Sequence, residues 1–337
     1  MMKVGIYNGQ NDIGVEERPV PKIGPTDALI RVLMGGICGT DINIVKAGSE
    51  MGIRFGSEFG HELFGEVVEV GSAVKDVRVG MRVGVNPITA KKAGRRYSLE
   101  VGAFSEYVLI EEAALNYNLY LFDPSVLAKE GVLMEPMSVG FHGAFSVEPK
   151  QDENIVVLGA GPIGLSAAAG LIGEGIKNVC VVDMDEWRLA KAKELGAWTV
   201  NTSTHSLPDG LTTHFGTVNV YGVDTPNVDA FIDAAGAPPL FEQIMKLTKP
   251  HARIAIIAVY KNEVPISLAQ IMSKEVKVIG ASGYTHEDIL KVISHINESK
   301  TTIATIVTDT FKLEDIQTAF STAIKADKTI KVLVDLT

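Results

Sequence analysis

The sequence has little cysteine, since Cys38 and Cys180 are the only two in 337 residues. So widely separated a pair cannot form the disulfide framework of a small secreted protein and is typical of a reducing compartment. The sequence also lacks an uninterrupted apolar run of the ~18 to 20 residues that a membrane-spanning helix needs. Its first residues, MMKVGIYNGQ, contain no basic segment leading into an apolar stretch with a cleavage site. We therefore expect a cytoplasmic protein with no membrane partner.

An excess of positive charge is also missing, because the formal net charge is −10 and the isoelectric point is near 5.3. Nucleic acids and anionic membrane surfaces both recruit proteins through clustered positive charge, so neither is expected as a partner. One short basic stretch, AKKAGRRY at residues 90–97, departs from this pattern. Short basic clusters are common on protein surfaces, and we interpret this one as a solvated loop.

Two kinds of periodicity divide the chain, whose length is about twice that of a typical domain. The first third contains short Val-rich runs, such as LFGEVVEV, separated by Gly, Pro and Asp, and these predict a β-rich domain. From about residue 150, strand-like runs such as NIVVL and NVCVVD alternate with helix-like segments such as EWRLAKAKELGA. This alternation predicts βαβ units on a parallel sheet. A mixed segment after residue 284 is too short for a third domain and is expected to pack against one of the other two.

A glycine-rich loop follows the first strand of this α/β region, in the sequence NIVVLGAGPIGLSAAAGL. Gly159, Gly161 and Gly164 form a G-x-G-x-x-G pattern between an apolar strand and an Ala-rich helix. The first glycine permits a tight turn, the second lets the backbone approach a pyrophosphate, and the third lets helix and strand pack closely. Pro162 and Ile163 open the helix, where proline is favoured. This context predicts a dinucleotide site rather than a simple strand-to-helix turn.

Two further residues bear on which nucleotide the loop binds. Asp183 ends the second strand, 19 positions after Gly164. An acid at about that spacing accepts hydrogen bonds from the adenosine ribose hydroxyls and repels the 2′-phosphate of NADP. Arg188, on the helix that follows, is expected to stack near the adenine or to pair with a carboxylate. The sequence therefore predicts NAD as the cofactor.

Three separate segments carry side chains that can bind a metal. Cys38 lies in GGICGTDIN, His61 and Glu62 follow a glycine in SEFGHELFGE, and Glu135 precedes a proline in LMEPMSVGFHG. One thiolate, one imidazole and one carboxylate are the ligand types of a catalytic zinc with an open fourth position. Taken singly, each residue is more often a packed side chain, so the ligand types alone leave both interpretations open.

Together these stretches resemble the zinc-dependent medium-chain dehydrogenases, most of all the polyol branch with sorbitol and butanediol dehydrogenases. The resemblance rests on GGICGTDIN, GHELFGEVVEVGSAVKDVRVGMRVGV, GAFSEYVLI, LMEPMSVGFHG and VVLGAGPIGL, which occur in that order along essentially the whole chain. It implies an α/β protein with a GroES-like β-rich catalytic domain at residues 1–146. A Rossmann NAD-binding domain, with a doubly wound parallel sheet, would occupy residues 147–284. Residues 285–337 would return to the catalytic domain.

The same resemblance implies one zinc ion, bound by Cys38, His61 and Glu135. Glu62 would lie next to the metal and either ligate it or exchange with water. Asp41 matches the carboxylate that orients the zinc-binding histidine. Many members also carry a four-cysteine lobe for a second, structural zinc. Here the corresponding stretch, NPITAKKAGRRYSLEVGAF, contains no cysteine, so no structural zinc is expected.

For the chemistry, the resemblance implies oxidation of a small secondary alcohol, such as a polyol, sugar alcohol or vicinal diol, with hydride transfer to NAD. Thr40 matches the hydroxyl that takes the proton of the substrate alcohol. Asn43 replaces the histidine that continues this proton relay in many members, so the proton must leave by another route. Amino alcohols of the threonine type remain open as substrates.

Two other functions are compatible with a dinucleotide-binding chain. A metal-free quinone- or enone-reductase-like enzyme would lack the ligand set, so the presence of Cys38, His61 and Glu135 together argues against it. A non-catalytic nucleotide-sensing protein would be expected to lose at least one ligand or Thr40, and none is lost.

The sequence also bears on assembly. The apolar stretch EVKVIGA, at residues 275–281, is expected near an edge of the parallel sheet, and an exposed apolar edge is normally paired or covered. In the resembling family this edge joins two subunits. We therefore expect a homodimer or homotetramer.

Overall fold

The fold is described by a computed structural model for residues 1–48, 53–96 and 99–337, with Arg95 and Arg96 described by their backbone alone. The chain forms two compact units. The first contains Met1–Glu135 and Val307–Thr337, and the second contains Pro136–Ile306.

The second unit begins at residue 136 and ends at residue 306, whereas the sequence predicted a second domain from residue 147 to residue 284. The difference at the C-terminal boundary has a physical cause. Residues 286–297 form a helix that packs on the helix Pro162–Gly173 of the second unit, so they stay with that unit. The last 31 residues, 307–337, belong to the first unit, whereas the sequence predicted such a return for the whole segment 285–337. As functional domains, the boundaries at 147 and 285 stay a prediction.

The N-terminal part of the first unit is mainly β structure. Its strands are β1 (Met2–Gly9), β2 (Asp12–Arg18), β3 (Ala28–Gly36), β4 (Glu62–Val70), β5 (Arg82–Val85), β6 (Lys91–Lys92), β7 (Arg95–Arg96), β8 (Tyr107–Ile110) and β9 (Leu119–Leu121). Its helices are α1 (Gly39–Ala47) and α2 (Ala128–Gly131), and α3 (Met134–Ser146) crosses into the second unit.

The second unit alternates strands and helices, as predicted. Its strands are β10 (Asn154–Leu158), β11 (Asn178–Asp183), β12 (Trp198–Asn201), β13 (Thr217–Val220), β14 (Val223–Pro226), β15 (Ala230–Asp233), β16 (Arg253–Ile256) and β17 (Lys277–Gly280). Its helices are α4 (Pro162–Gly173), α5 (Glu186–Glu194), α6 (Leu207–Phe215), α7 (Pro238–Leu247), α8 (Leu268–Lys274) and α9 (His286–Asn297), followed by a 3₁₀ turn (Ile303–Ile306).

The tail that returns to the first unit contains β18 (Val307–Lys312), a 3₁₀ turn (Leu313–Asp315), α10 (Ile316–Lys325) and β19 (Lys331–Asp335). Phe320 on α10 packs against Phe59 and Phe104 with ring centroids 5.5 Å apart, and all three rings are fully buried. This aromatic cluster fixes the returning helix to the N-terminal part of the unit. In the described parts of the chain, no helix is long and apolar enough to cross a bilayer.

One sheet organises the first unit, with the strand order β18-β19-β3-β4-β5-β9 and with β8 also paired to β3. At its centre β3 and β4 run antiparallel, with Ile30 opposite Val67 and Gly36 opposite Glu62. The inward side chains of both strands are apolar and belong to one buried cluster, which explains why this register is favoured. β19 pairs with the end of β3, placing Leu333 opposite Gly36.

The second unit contains a six-stranded parallel sheet in the order β12-β11-β10-β15-β16-β17. The chain winds outward from β10 in one direction through β11 and β12, and in the other through β15, β16 and β17. This is a doubly wound sheet with its switch point between β10 and β15. The side chains of Ile155–Leu158 are fully buried, because helices cover both faces of such a sheet. The predicted α/β class is confirmed.

The basic stretch interpreted as a solvated loop is instead a short hairpin of β6 and β7, described as far as the backbone of Arg96. Carboxylates hold it in place. Lys91 pairs with Glu112, Lys92 pairs with Glu58 at 3.1 Å, and the amides of residues 93 and 94 donate to Glu111. Because these partners lie 17 to 34 positions away, no local signal in the sequence could show the ordering. Tyr97, the last residue of the stretch, lies outside the described residues.

Candidate active site

Cys38 lies where β3 gives way to α1, and local hydrogen bonds fix its side chain. It is the N-cap residue of α1, and its Sγ accepts a hydrogen bond from the amide of Thr40 at 3.5 Å. In return, the amide of Cys38 donates to Asp41 Oδ2 at 2.9 Å. This reciprocal arrangement replaces the usual Ser or Thr cap with a thiol. The cap therefore fixes the position of Cys38 Sγ, a potential metal ligand, at the start of α1.

Asp41 also lies next to the imidazole ring of His61. Its Nδ1 faces Asp41 Oδ1 at 3.4 Å, so Nε2 is the ring nitrogen available to a metal. The ring is buried, with 6% of the residue exposed. Burial alone lowers the pKa of His61, but the charge of Asp41, with contributions from Cys38 and Glu135, outweighs burial and holds the pKa well above its usual value. Asp41 therefore contacts both donor segments, as its proposed orienting role requires.

Three donor atoms converge on one point. Cys38 Sγ, a ring nitrogen of His61 and a carboxylate oxygen of Glu62 all lie within 4.8 Å of one another. The register of β3 and β4 accounts for this, because Gly36 lies opposite Glu62, and Cys38 and His61 lie close to that pair in the sequence. Glu135, in the first turn of α3, is close enough for its charge to raise the pKa of His61. A cysteine sulfur, an imidazole and the Glu62 carboxylate at this spacing fit a zinc ion, whose bonds to such ligands are about 2.0–2.3 Å long.

Lys331 lies beside this cluster and was not predicted from the sequence. It begins β19, only 2% of it is exposed, and its Nζ pairs with Glu62 Oε2 and donates to the carbonyl of Ile37 at 3.0 Å. Burial alone lowers the pKa of Lys331, but the Glu62 carboxylate, helped by Cys38 and Glu135, raises it above its usual value. The signal available in the sequence was one lysine at the start of the strand KVLVD, directly before three apolar residues.

The glycine loop has the geometry that its pattern predicts. Gly159 has φ +95°, and Gly164 approaches it so closely that a Cβ at Gly164 would collide with the Gly159 carbonyl. Gly161 caps α4, and a Cβ there would meet nothing nearer than Arg188 Nη1 at 3.9 Å, which leaves its backbone open to a ligand. Pro162 and Ile163 form the first turn of α4. The positive end of that helix favours a phosphate.

Asp183 stands at the end of β11 with its carboxylate fixed by three backbone amides. Oδ2 accepts from Ala160 at 2.7 Å, and Oδ1 accepts from Met184 at 2.7 Å and Asp185 at 3.0 Å. A cavity of about 610 Å³ opens beside it, lined by Gly159, Val182, Asp183, Met184, Thr202, His205, Ser206, Leu207, Pro208, Ala235, Ala237, Pro239, Leu240 and Gln243. Gly159, the first glycine of the loop, and the predicted ribose-binding acid therefore border one cavity of nucleotide-binding size.

Arg188 lies at the glycine loop, with its Nε 3.9 Å from Asp185 Oδ2. This position agrees with either expectation for the residue, a carboxylate partner or a contact with the nucleotide. Its proposed contact with the adenine stays a prediction.

Comparison with known proteins finds family matches in both units. The family described as "Alcohol dehydrogenase GroES-like domain" matches residues 24–117, and the one described as "Zinc-binding dehydrogenase" matches residues 162–298. Sorbitol dehydrogenase 1 of Saccharomyces cerevisiae is 30% identical over 92% of this chain and 90% of its own length. L-Threonine 3-dehydrogenase of Streptomyces avermitilis is 30% identical over 95% of this chain and 94% of its own length.

A solved structure is similar over the whole chain. The crystal structure of 2R,3R-butanediol dehydrogenase from Bacillus subtilis has a TM-score of 0.86 and 28% identity, with 99% of each chain covered. The chain therefore belongs to the zinc-binding medium-chain alcohol and polyol dehydrogenase family, as an oxidoreductase of the kind that uses zinc and a nicotinamide cofactor.

Proposed function

We propose that the protein oxidises a secondary alcohol of the polyol, sugar-alcohol or vicinal-diol class, with NAD as the hydride acceptor and one zinc ion per chain. The observation that carries the proposal is the convergence of Cys38, His61 and Glu62 within 4.8 Å in the GroES-like unit. The glycine loop and Asp183 in the second unit supply the matching nucleotide site. Relatives named for sorbitol and butanediol support this substrate class.

In this proposal Cys38, His61 and Glu135 hold the zinc, and Asp41 keeps His61 oriented. Glu135 is assigned by the family resemblance, because the carboxylate that converges with Cys38 and His61 in the structure is that of Glu62. Zinc in such a site supplies a Lewis acid that lowers the pKa of a substrate alcohol. Thr40 follows Cys38 by two positions in the first turn of α1 and accepts the proton of the alcohol. The second unit binds NAD, with the pyrophosphate at the start of α4 and the adenosine ribose hydroxyls on Asp183.

A second substrate class has support of its own. A threonine 3-dehydrogenase is as similar in sequence as a sorbitol dehydrogenase, at 30% identity. Screening NAD reduction by the zinc-loaded protein against polyols, vicinal diols, sugar phosphates and L-threonine separates the two. We expect at least one polyol or diol to be oxidised, and activity with L-threonine alone would select the second class instead. Reduction of an enone by the metal-free protein, without oxidation of any alcohol, would contradict both.

The first prediction concerns zinc stoichiometry. The purified protein should hold one zinc per chain, and Cys38→Ser should lose it, because a serine hydroxyl is a much poorer zinc ligand than a thiolate. Metal analysis after dialysis measures this directly. Cys180→Ala is the matched control, since Cys180 is fully buried in the core of the second unit and should leave zinc content unchanged. Two zinc ions per chain, or full retention of zinc in Cys38→Ser, would contradict the assignment.

The second prediction separates proton transfer from metal binding. Thr40→Ala should keep its zinc but lose about 10²- to 10⁴-fold in kcat, the usual range for general acid–base assistance, while Thr40→Ser retains most activity. Asp41→Ala should instead weaken zinc binding by about 10- to 100-fold, because it releases both His61 and the Cys38 amide. The measurements are kcat and zinc affinity for each variant. Wild-type turnover in Thr40→Ala would exclude the proposed proton acceptor.

The third prediction concerns cofactor choice. NAD should be used in preference to NADP, because a 2′-phosphate beside Asp183 meets like charge. Asp183→Asn should reduce the ratio of kcat/KM for NAD over NADP by about tenfold or more, equivalent to ~1.4 kcal/mol. The mismatch that Asn creates with the Ala160 amide should weaken both cofactors together and cancel in the ratio. Equal kcat/KM for the two cofactors in the unaltered protein would rule the preference out.

We further propose that two copies associate through β17. It ends the parallel sheet and pairs with β16 alone in the described chain, and the segment before it exposes Val259, Leu268 and Met272 at 89%, 75% and 72%. An open strand edge flanked by exposed apolar side chains favours pairing with a second copy.

Light scattering at micromolar concentration should therefore give the mass of a dimer or tetramer. Replacing Leu268 and Met272 together by Glu should shift the mass toward the monomer. The control is Val79→Glu, since Val79 is an exposed apolar residue of the first unit and its change should leave the mass unaltered. A monomeric mass for the unaltered protein would contradict the proposal.

A further inference from the structure

Lys331 is a buried cation next to the proposed metal ligands. It lies in β19, where the three residues that follow it, Val332, Leu333 and Val334, are buried apolar side chains. A lysine is almost never so fully buried unless its charge is paired. The position therefore calls for a specific partner rather than for packing alone.

The ammonium group contacts both segments that carry the metal donors. It pairs with the carboxylate of Glu62, the residue after His61, and it donates to the carbonyl of Ile37, the residue before Cys38. Gly36 makes room for the pair, because a Cβ there would collide with Glu62 Oε2 and would approach Lys331 Cε to 3.2 Å. The space for this contact is thus provided by the backbone of β3 itself.

The charges explain what the pair can do. The carboxylate of Glu62 lies among the donor atoms of the proposed metal site and also pairs with Lys331 Nζ. Glu62 is therefore attracted by two cations, the metal and Lys331. A zinc ion with four protein ligands forms a closed, structural type of site, whereas a catalytic site keeps one position open. Which cation holds Glu62 decides between these two types.

We propose that Lys331 is a positioning residue that holds Glu62 in an ion pair and so keeps one coordination position of the zinc open for substrate. The inference rests on the proposed zinc site and goes beyond it, because it settles which of the two expected roles Glu62 has. Without Lys331, the buried carboxylate loses its ion-pair partner and binds the metal as a permanent ligand.

The test compares Lys331→Met with the double variant Lys331→Met/Glu62→Gln. Both are loaded with cobalt(II) in place of zinc, and the visible spectrum is followed while imidazole is added as an exogenous ligand. In the unaltered protein imidazole should shift the spectrum, because a coordination position is open. In Lys331→Met the shift should need about 10- to 100-fold more imidazole, with metal affinity in chelator competition equal or tighter. The double variant should regain the response.

Turnover should follow the same order, with kcat reduced in Lys331→Met and recovered in part in the double variant. Lys312→Met is the control, because Lys312 lies on the neighbouring strand β18 in an exposed pair with Asp335 and should change neither readout. A purely structural role for Lys331 predicts the opposite pattern, with weaker metal binding in Lys331→Met that the second substitution does not restore.

Three results would overturn the inference. They are an unchanged imidazole response in Lys331→Met, loss of metal from that variant, and a double variant that stays unresponsive. The double variant contains no unpaired buried charge, so it keeps the test decisive if the single variant folds poorly. If the unaltered protein takes up neither zinc nor cobalt, the proposed metal site itself fails, which is a distinguishable outcome.

Discussion

The pairing register of β3 and β4 is the constraint on which the metal cluster depends. It places Gly36 opposite Glu62, so Cys38, two positions beyond Gly36, meets His61, one position before Glu62. A slip of one residue would turn every inward side chain of one strand to the other face and separate the donors. The apolar cluster under these strands, including Ile30 and Val67, favours the observed register. The hydrophobic core of the first unit therefore assembles the donor atoms.

Two charged side chains, Asp41 and Lys331, connect the segments that carry the metal donors. Asp41 links the two donor segments, because one of its oxygens accepts from the Cys38 amide and the other faces His61. Lys331 links the same segments from the side of the returning strand. Each group would be costly to bury alone, since an unpaired charge in an apolar interior is strongly destabilising. The cluster is thus a network in which each charged side chain depends on a partner from another segment.

Much of this could be predicted from local patterns. The glycine loop and Asp183 are signalled by a strand, a turn and a helix within about 30 residues, and in the structure Gly159 and Asp183 line one cavity. Cys38 and His61 were predicted as metal ligands from their residue types and from the resemblance to a family. Lys331 could not be found in this way, because its contact with Ile37 spans 294 positions and depends on the return of β19 to β3. The extent of that return, 307–337 rather than 285–337, depends likewise on packing between distant segments.

The zinc K-edge X-ray absorption spectrum of the loaded protein tests the central claim most directly, because it counts the atoms bound to the metal. With Cys38 as the one thiolate ligand, the spectrum should fit a single sulfur at about 2.3 Å, with nitrogen and oxygen atoms at about 2.0–2.2 Å completing the shell. A shell without sulfur would remove Cys38 from the site. Two sulfurs per zinc would require Cys180, which is buried in the other unit, and would contradict the account equally.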